Sequence, residues 1–417
     1  MFYRNIYLAV ALSFIYFLLG NWLLSFTSID EGRNMDAVQN MIRSQDFISP
    51  VYNCNPRFEK PPMLYWLVAL SSYILGLGEF SARLVSGLSA VGLLVLTYLL
   101  GKELFSREVV MKSLFILMTF PHLWIESRAV VPEMLNTLFT MAGLYAFLRE
   151  RFNLGWLLFA FAFLTKGPVG VVLGVGVYLL WRRKLDFLKP SGLVLFLVVG
   201  FSWYVAMIIQ HGYEYFYRFF IYENVMRYTG HRSTHPAPFY YYLIVLALGT
   251  VWYLPLYPRL IRQFNRAWLP LLLWVCFVLL FFSLASNKLH HYILFAYPPL
   301  ALLLSHVVSD RYLRFTTVIS LLALFLLMPL LYFYESQRFT PKAYPVVKEY
   351  SSSVYFYKAE DSALVFYSGK CIEKIENPSM AEGLVITKEG EMKNFPNCKL
   401  LLKGKEFDGA YVLLNCG

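Results

Sequence analysis

Charged residues are scarce in this chain. Asp, Glu, Lys and Arg make up only 15% of its 417 residues, whereas soluble domains carry about 25%. Hydrophobic residues account for 58% and aromatic residues for 18%. Such a composition excludes a disordered chain, a coiled coil and an ordinary cytosolic enzyme. It indicates a protein that crosses a membrane several times.

Three further absences exclude other classes of protein. The five cysteines show no C-x-x-C spacing, so no zinc-finger or redox motif stands out. No internal repeat suggests the paired halves of a transporter. The net charge of +11 comes from basic residues spread between apolar runs, so no nucleic-acid partner is expected.

The first apolar run is longer than the apolar core of a signal peptide and lacks a cleavage site, so we expect it to be retained as a helix.

Twelve apolar runs are candidates for membrane spans, since a bilayer core of about 30 Å needs about 20 residues of helix. They cover residues 6–26, 62–77, 83–101, 109–125, 129–148, 153–165, 167–181, 190–210, 238–258, 267–285, 289–308 and 314–334. The run 62–77 is short, contains two serines and opens with two prolines. The run 153–165 is also short, and a helix pair broken at 166–168 would preserve the same topology.

The positive-inside rule decides how the run 62–77 is interpreted. If it lies in the interface, every short basic loop falls on the side of Arg4; if it spans, all later loops change sides. We therefore predict eleven spans, a cytoplasmic N-terminus in the inner membrane, and an outside loop at about 29–81. Residues 1–334 form the predicted membrane domain, which contains that loop.

The C-terminal segment 335–417 changes in composition and is predicted to be a small extracytoplasmic α/β domain. Its β-like runs lie at 363–367, 383–387, 398–403 and 410–414, separated by polar residues. Cys371, Cys398 and Cys416 lie in this segment and Cys54 in the outside loop, all on the oxidising side. One disulfide within the segment is expected, with its pairing open.

Asp30 and Glu31 follow the first apolar run directly. Two carboxylates at the mouth of a membrane helix can act as a general base or as metal ligands. Asp30 is also a good N-cap for the next segment, which carries one apolar face: Met35, Val38, Met41 and Ile42. Spacing alone favours the cap, and it predicts an amphipathic helix lying on the membrane surface.

Cations gather in several segments of the predicted outer face or at span ends. The chain reads R-F-E-K-P-P at 57–62, K-G-P at 166–168, Y-E-N-V-M-R-Y at 222–228 and S-N-K-L-H-H-Y at 286–292. One such residue is usually a side chain reaching from a helix end to the interface. Several together have a shared target if the substrate is an anionic lipid head group. His231, His235, His290 and His291 show no i, i+4 pairing with a carboxylate, which argues against a metal site among them.

The order of these motifs resembles the GT-C membrane glycosyltransferases, in the branch of the bacterial lipid A aminoarabinose transferase and its protein O-mannosyltransferase relatives. The resemblance covers about residues 5–308. It rests on D-E-G-R at 30–33, R-F-E-K-P-P at 57–62, A-R-L at 82–84, S-R-A-x-x-P-E at 127–133, F-L-T-K-G-P at 163–168, E-N-V-x-R-Y at 223–228, H-P-A-P-F-Y-Y-Y at 235–242 and N-K-L-H-H-Y-I-L at 287–294.

The resemblance implies an all-α polytopic membrane fold of the GT-C type with interfacial helices in the first outside loop. It implies an enzyme that moves a sugar from a polyprenyl-phosphate donor to lipid A, another glycolipid or a glycan, with inversion. It makes Asp30 the catalytic carboxylate and sets Arg33 in the same signature. The donor-phosphate positions are Lys60, Arg227, Lys288 and Tyr292.

The same resemblance makes Glu59 a candidate ligand for a divalent metal ion, and no other cofactor is expected. Many relatives have a histidine near the place where Asn224 stands here, and that departure weakens the metal assignment. Two other classes of function stay open. A transporter or flippase of an anionic lipid would suit the outside cations, although these gather on one face rather than at the midplane. A non-catalytic assembly subunit would tolerate neutral substitutions of Asp30 and Glu59.

Overall fold

The computed structural model describes residues 5–226 and 235–417. These residues form two compact units that do not follow a single cut of the sequence. The helical unit comprises Met1–Leu19, Phe58–Leu64 and Arg83–Ala323. The mixed unit comprises Gly20–Arg57, Tyr65–Ala82 and Leu324–Gly417. The mixed unit thus combines most of the first predicted outside loop with the C-terminal segment, and each unit is described separately below.

Helices dominate the described part of the chain. In chain order they are α1 Ile6–Leu18, α2 Ile29–Ser44, α3 Met63–Leu75, α4 Glu79–Leu104, α5 Arg107–Met118, α6 Pro121–Glu126, α7 Pro132–Leu148, α8 Phe152–Lys166, α9 Val169–Arg182, α10 Pro190–Phe216, α11 Tyr241–Gly249, α12 Tyr257–Arg262, α13 Leu269–Ser283, α14 Tyr297–Leu304, α15 Asp310–Gln337, α16 Phe339–Glu349 and α17 Ser362–Ser368. A π-helical turn at Tyr217–Val225 continues α10, and a 3₁₀ segment at His290–Ala296 precedes α14.

Four of the described helical stretches are long and apolar enough to cross a bilayer: Glu79–Leu104, Pro190–Glu223, Arg266–Ser283 and Asp310–Gln337. Tyr241–Gly249 with Val251–Arg262 would make a fifth as a span bent by 95°. Helix α3 has 13 residues, and at 1.5 Å per residue it is about 20 Å long, too short to cross. Its length fits the interfacial position predicted for it, while the count of eleven spans stays a prediction.

Glycines and aromatic rings bring the helices of the helical unit together. Gly155 of α8 faces Phe147 of α7 so closely that a Cβ atom there would lie 2.2 Å from the ring. Phe147 also packs edge-on against Trp156 and Phe159. Small residues that let helix backbones approach are the usual means of packing helices in a membrane, where lipid offers no hydrophobic driving force between them.

The C-terminal part of the mixed unit is a five-stranded sheet with strand order β4-β3-β5-β7-β6. The strands are β3 Val354–Tyr357, β4 Glu373–Ile375, β5 Leu384–Lys388, β6 Lys399–Glu406 and β7 Gly409–Asn415; β1 Val51–Tyr52 and β2 Asn55–Pro56 form a separate hairpin. β3 runs parallel to β4 and β5, while β7 is antiparallel to β5 and β6. Alternate residues face two apolar clusters, one of which includes α16 and α17.

One of the strand predictions was wrong and three are confirmed. Residues 363–367 lie in the helix α17, whereas the runs at 383–387, 398–403 and 410–414 are strands β5, β6 and β7. The Asp361 side chain accepts from the backbone N–H of Leu364 and so caps α17, and Gly369 ends it in a left-handed conformation. The segment is buried almost throughout, and a short apolar run buried on all sides has no period that separates a strand from a helix.

The expected disulfide within the C-terminal segment is confirmed as Cys398–Cys416. A second disulfide joins Cys54 of the first loop to Cys371, 317 residues later. Both bridges lie in the mixed unit. The second one ties the hairpin β1–β2 to the sheet domain, so the first loop and the C-terminal segment are covalently joined.

Helix α2 is buried in protein, which corrects its predicted position on the membrane surface. Met35 and Val38 are inaccessible to solvent, and the polar residues Asn34 and Asp36 are buried as well. α2 packs on α17: a Cβ atom on Gly32 would lie 2.3 Å from the Ala363 nitrogen. An apolar face on a helix does not show whether lipid or protein covers it. In this structure α17, from the C-terminal segment, packs on α2.

Candidate active site and a histidine–glutamate cluster

Asp30 is not the N-cap of α2, contrary to the prediction from spacing. Ser28 is the cap, and its hydroxyl accepts from the backbone N–H of Glu31. The Glu31 carboxylate in turn accepts from the backbone N–H and the hydroxyl of Thr27. The sequence carries this signal as S-x-x-E at 28–31, a capping box. Asp30 therefore lies in the first turn of α2 and does not cap it, and its side chain is 40% exposed.

The Asp30 carboxylate lies beside a buried guanidinium. Its Oδ1 is 3.9 Å from Nη2 of Arg57, whose side chain is only 2% exposed. In the sequence Arg57 opens the motif that continues to Glu59 and Lys60. The ion pair thus joins the first predicted motif to the start of the second within the mixed unit.

Arg33 lies one turn further along α2 and is engaged by the C-terminal segment. Its guanidinium donates twice to Oε1 of Glu360, from Nε at 2.9 Å and from Nη2 at 2.6 Å. Tyr52 donates to the same oxygen at 3.1 Å, and its ring lies 5.5 Å from the Arg33 guanidinium. Burial alone would raise the pKa of Glu360, but Lys374 and Arg33 together hold that pKa below its ordinary value.

A second cluster of charged and aromatic side chains lies in the helical unit. Lys166 at the end of α8 donates to Oε1 of Glu133 at 2.8 Å. The same carboxylate oxygen is 3.1 Å from Nε2 of His291. The Lys166 ammonium also lies 4.1 Å from the centre of the Tyr292 ring. These four side chains line one cavity, at the start of α7 and of the 3₁₀ segment.

The remaining predicted site residues are placed as follows. Lys288 is buried and its ammonium donates to the Ala285 carbonyl at 2.5 Å. Lys60 is half-buried, and its charge acts on Glu133. Glu59 is exposed. Arg227 lies outside the described residues.

Three side chains of the helical unit converge on a single point. His122 and Glu126 stand at the two ends of the short helix α6, and His290 opens the 3₁₀ segment. Their ligand-type atoms all lie within 4.8 Å of one another. This is the cluster of His, Cys, Asp or Glu side chains in the described residues whose geometry suits a metal ion, and Glu59 is not a member.

Reasoning from the sequence missed Glu133, His122 and Glu126. Glu133 follows Pro132 at the start of an apolar helix, where an acidic residue usually serves the helix terminus. His122 and Glu126 have the i, i+4 spacing of a metal-binding pair on a helix, but they lie within an apolar run, away from the predicted outer motifs. The third member, His290, is 168 residues from His122.

Comparison with known proteins agrees with this architecture. Residues 59–209 match the family described as dolichyl-phosphate-mannose-protein mannosyltransferase. An uncharacterized protein of Aquifex aeolicus is 48% identical over 99% of both chains. The undecaprenyl phosphate-alpha-4-amino-4-deoxy-L-arabinose arabinosyl transferase of Shewanella sediminis is 33% identical over 74% of this chain and 60% of its own length. The chain therefore spans about three fifths of that transferase.

The fold is also found among solved structures. The crystal structure of ArnT from Cupriavidus metallidurans bound to undecaprenyl phosphate superposes with a TM-score of 0.79, at 18% identity, over 98% of this chain and 97% of the other. Helical architecture and apolar helices make this chain a multi-pass membrane protein of the GT-C fold, with a small C-terminal sheet domain. In sequence it is similar to the aminoarabinose transferases over about three fifths of their length and to the mannosyltransferase family over residues 59–209, and in fold it is similar to ArnT.

Proposed function

We propose that this protein transfers a sugar from a polyprenyl-phosphate donor to a lipid or glycan acceptor on the outer face of the inner membrane, with inversion at C1. Similarity to the mannosyltransferase and aminoarabinose transferase families supports the reaction class, and the names of the relatives support a polyprenyl-phosphate donor. The observation that carries the proposal is the partly exposed Asp30 carboxylate, which lies in the first turn of α2 beside the buried Arg57.

Asp30 acts as the general base in this mechanism. A general base must reach the acceptor hydroxyl, and the 40% exposure of the Asp30 side chain leaves it accessible. It takes the proton as the acceptor oxygen attacks C1 of the sugar, and the bond from C1 to the phosphate oxygen breaks on the opposite side. Arg57 orients the carboxylate, and Arg33 holds the same helix to Glu360.

The leaving polyprenyl phosphate needs no proton, because it is already a weak base. Fixed cations stabilise its growing charge instead. We assign this role to Lys60 and Lys288, with Tyr292 as a hydrogen-bond donor and Arg227 as the family's fourth position. The contact of Lys166 with the Tyr292 ring supports a positively charged environment around that hydroxyl-bearing side chain. Glu59, by the resemblance, is a candidate ligand for a divalent metal.

Both disulfides support an outside position for the first loop and the C-terminal segment. Disulfides persist in oxidising compartments and are rare in the cytoplasm. With Cys54–Cys371 and Cys398–Cys416 outside, the N-terminus is cytoplasmic, which agrees with the distribution of basic loops. In this topology residues 1–334 are the membrane domain and 335–417 an extracytoplasmic domain.

The test is a transfer assay with purified protein in liposomes, a panel of polyprenyl-phosphate sugars and membrane-lipid acceptors. Asp30→Asn should lower turnover by about 10²–10⁴-fold, because general-base catalysis contributes that much. Asp46→Asn is the matched control from the same loop, since asparagine keeps the oxygen that accepts from the backbone of Ile48 and Ser49. Undiminished transfer by Asp30→Asn rejects the assignment, and carrier movement without sugar transfer favours a flippase.

A further inference from the structure

The atoms of the His122–Glu126–His290 cluster have the spacing of a metal coordination sphere. His122 Nε2 and His290 Nδ1 are 3.0 Å apart, and Glu126 Oε1 is 3.1 Å from His290 Nδ1 and 3.5 Å from His122 Nε2. Bonds of 2.0–2.1 Å to a tetrahedral zinc ion put neighbouring ligand atoms about 3.3 Å apart. The three distances lie on both sides of that value.

Hydrogen bonds alone cannot satisfy all three of these atoms. Each atom faces the two others, so a proton shared by two of them leaves the third atom facing either a lone pair or a second proton. A cation bonded to all three satisfies the three lone pairs at once. The Glu126 side chain is 3% exposed and that of His122 is 7% exposed, and buried carboxylates are normally paired or bound to metals.

The surroundings of His122 fit a metal ligand. Its other ring nitrogen, Nδ1, lies 2.6 Å from the hydroxyl of Tyr297, which is completely buried. With Nε2 on a metal, Nδ1 carries the proton and donates to Tyr297, and a partner of this kind fixes the tautomer of most metal-bound histidines. The second oxygen of Glu126 faces His291 Nδ1 at 3.9 Å.

We propose that His122, Glu126 and His290 bind a divalent transition-metal ion, with zinc as the favoured ion. Two imidazoles and one carboxylate suit zinc and disfavour magnesium and calcium, which prefer oxygen ligands alone. The His290 side chain is 52% exposed, so the cluster is reached from the surface of the unit. Sites with three protein ligands and an open position bind water or an anionic oxygen.

The ion would join two separate parts of the helical unit. α6 supplies His122 and Glu126, and His290 lies two residues after Lys288 and two residues before Tyr292. Bound metal would therefore fix the position of the residues to which we assigned the donor phosphate. The site itself rests on the cluster geometry and does not depend on that assignment.

The experiment measures zinc binding directly and needs no substrate. Purified protein in detergent is stripped with a chelator, dialysed and titrated with zinc against a fluorescent competitor, and the bound metal is counted by mass spectrometry. We expect one zinc ion per wild-type chain. His290→Gln and His122→Gln should each abolish stoichiometric binding, and Tyr297→Phe should weaken it by about 10–100-fold, the usual effect of losing an outer partner.

Two further variants make the result decisive. His306→Gln removes a histidine of the same unit that stacks on Trp268, away from the cluster, and should bind zinc as the wild type does. Glu59→Gln should also retain the ion. A wild-type chain without zinc, or His290→Gln and His122→Gln chains that keep it, would overturn the proposal. Loss in Glu59→Gln alone would place the metal at the R-F-E-K motif instead. Elution profile and thermal unfolding of each variant check that it is folded.

Discussion

Arg33 donates two hydrogen bonds to a single carboxylate oxygen of Glu360, 327 residues later in the chain. The guanidinium of a residue in the D-E-G-R motif at 30–33 is therefore bound by the C-terminal segment. Because the two side chains are only 29% and 14% exposed, this ion pair is better shielded from solvent than an ordinary surface pair. It offers a way to separate a structural role of Arg33 from a direct one.

A double-mutant cycle of Arg33→Gln and Glu360→Gln should give a coupling energy of about 1.5 kcal/mol, the lower end of the range for hydrogen bonds to charged groups, because both side chains are partly exposed. Chemical or thermal unfolding of the four proteins measures it. The exposed pair Lys358 and Glu391 of the same unit is the control, and a much smaller coupling is expected there because solvent screens both charges. Additive effects in the first cycle would show that the contact contributes nothing.

Activity of the same variants separates the two roles of Arg33. If it acts only by holding α2, Arg33→Gln and Glu360→Gln should lower turnover equally, and the double variant should lose no more. If Arg33 also touches the donor, Arg33→Gln should cost more than Glu360→Gln. We expect the second outcome, because Arg33 belongs to the motif that includes Asp30.

Asp361 should make the mixed unit less stable as the pH rises. Burial raises the pKa of Asp361 to about 6, against an ordinary value of 3.8. The folded state therefore binds more protons than the unfolded state between about pH 4 and 6, so the free energy of unfolding falls as pH rises through this window. The loss is roughly 2–3 kcal/mol and is complete above pH 6.

Asp361→Asn isolates this contribution, since asparagine keeps the oxygen that accepts from Leu364 at the start of α17. Unfolding midpoints at pH 4–7 should decline with pH more steeply in the wild type than in Asp361→Asn. Other groups, such as Glu360 with its lowered pKa, act in the opposite direction in both proteins and cancel in the comparison. Parallel pH profiles would contradict the prediction.

Gly32→Ala should destabilise the mixed unit by about 1–3 kcal/mol, the usual cost of forcing an extra carbon into a packed core. The added Cβ would lie 2.3 Å from a backbone nitrogen of α17, which cannot move aside as a flexible side chain does. Gly390→Ala is the matched control, because a Cβ there meets nothing within 4 Å. Equal unfolding midpoints for the two variants would show that α2 and α17 are not so closely packed in solution.

Composition and apolar runs predicted the membrane class, whereas packing between distant parts of the chain could not be predicted. The roles of Asp30 and Lys60 came from the resemblance to a family and stay predictions. Spacing misplaced α2, because the stripe of Met35, Val38 and Met41 is the same whether lipid or α17 covers it. The run 363–367 was interpreted as a strand, since an apolar run buried almost throughout shows no period that separates a strand from a helix. Glu133 was overlooked because a carboxylate in the first turn of a helix has an ordinary explanation.

The packing of α2 on α17 also sets the order in which this protein can become active during its synthesis. Ser362 donates to the carbonyl of Ile29 across 333 residues, so the helix that carries Asp30 leaves the ribosome long before its support exists. At the usual speed of translation that interval is roughly 20–60 s. If Asp30 is the base, as proposed, a nascent chain that has not yet formed α17 and the Cys54–Cys371 bridge lacks the support of the helix that carries this base, so transfer activity should appear only after the C-terminal segment has folded.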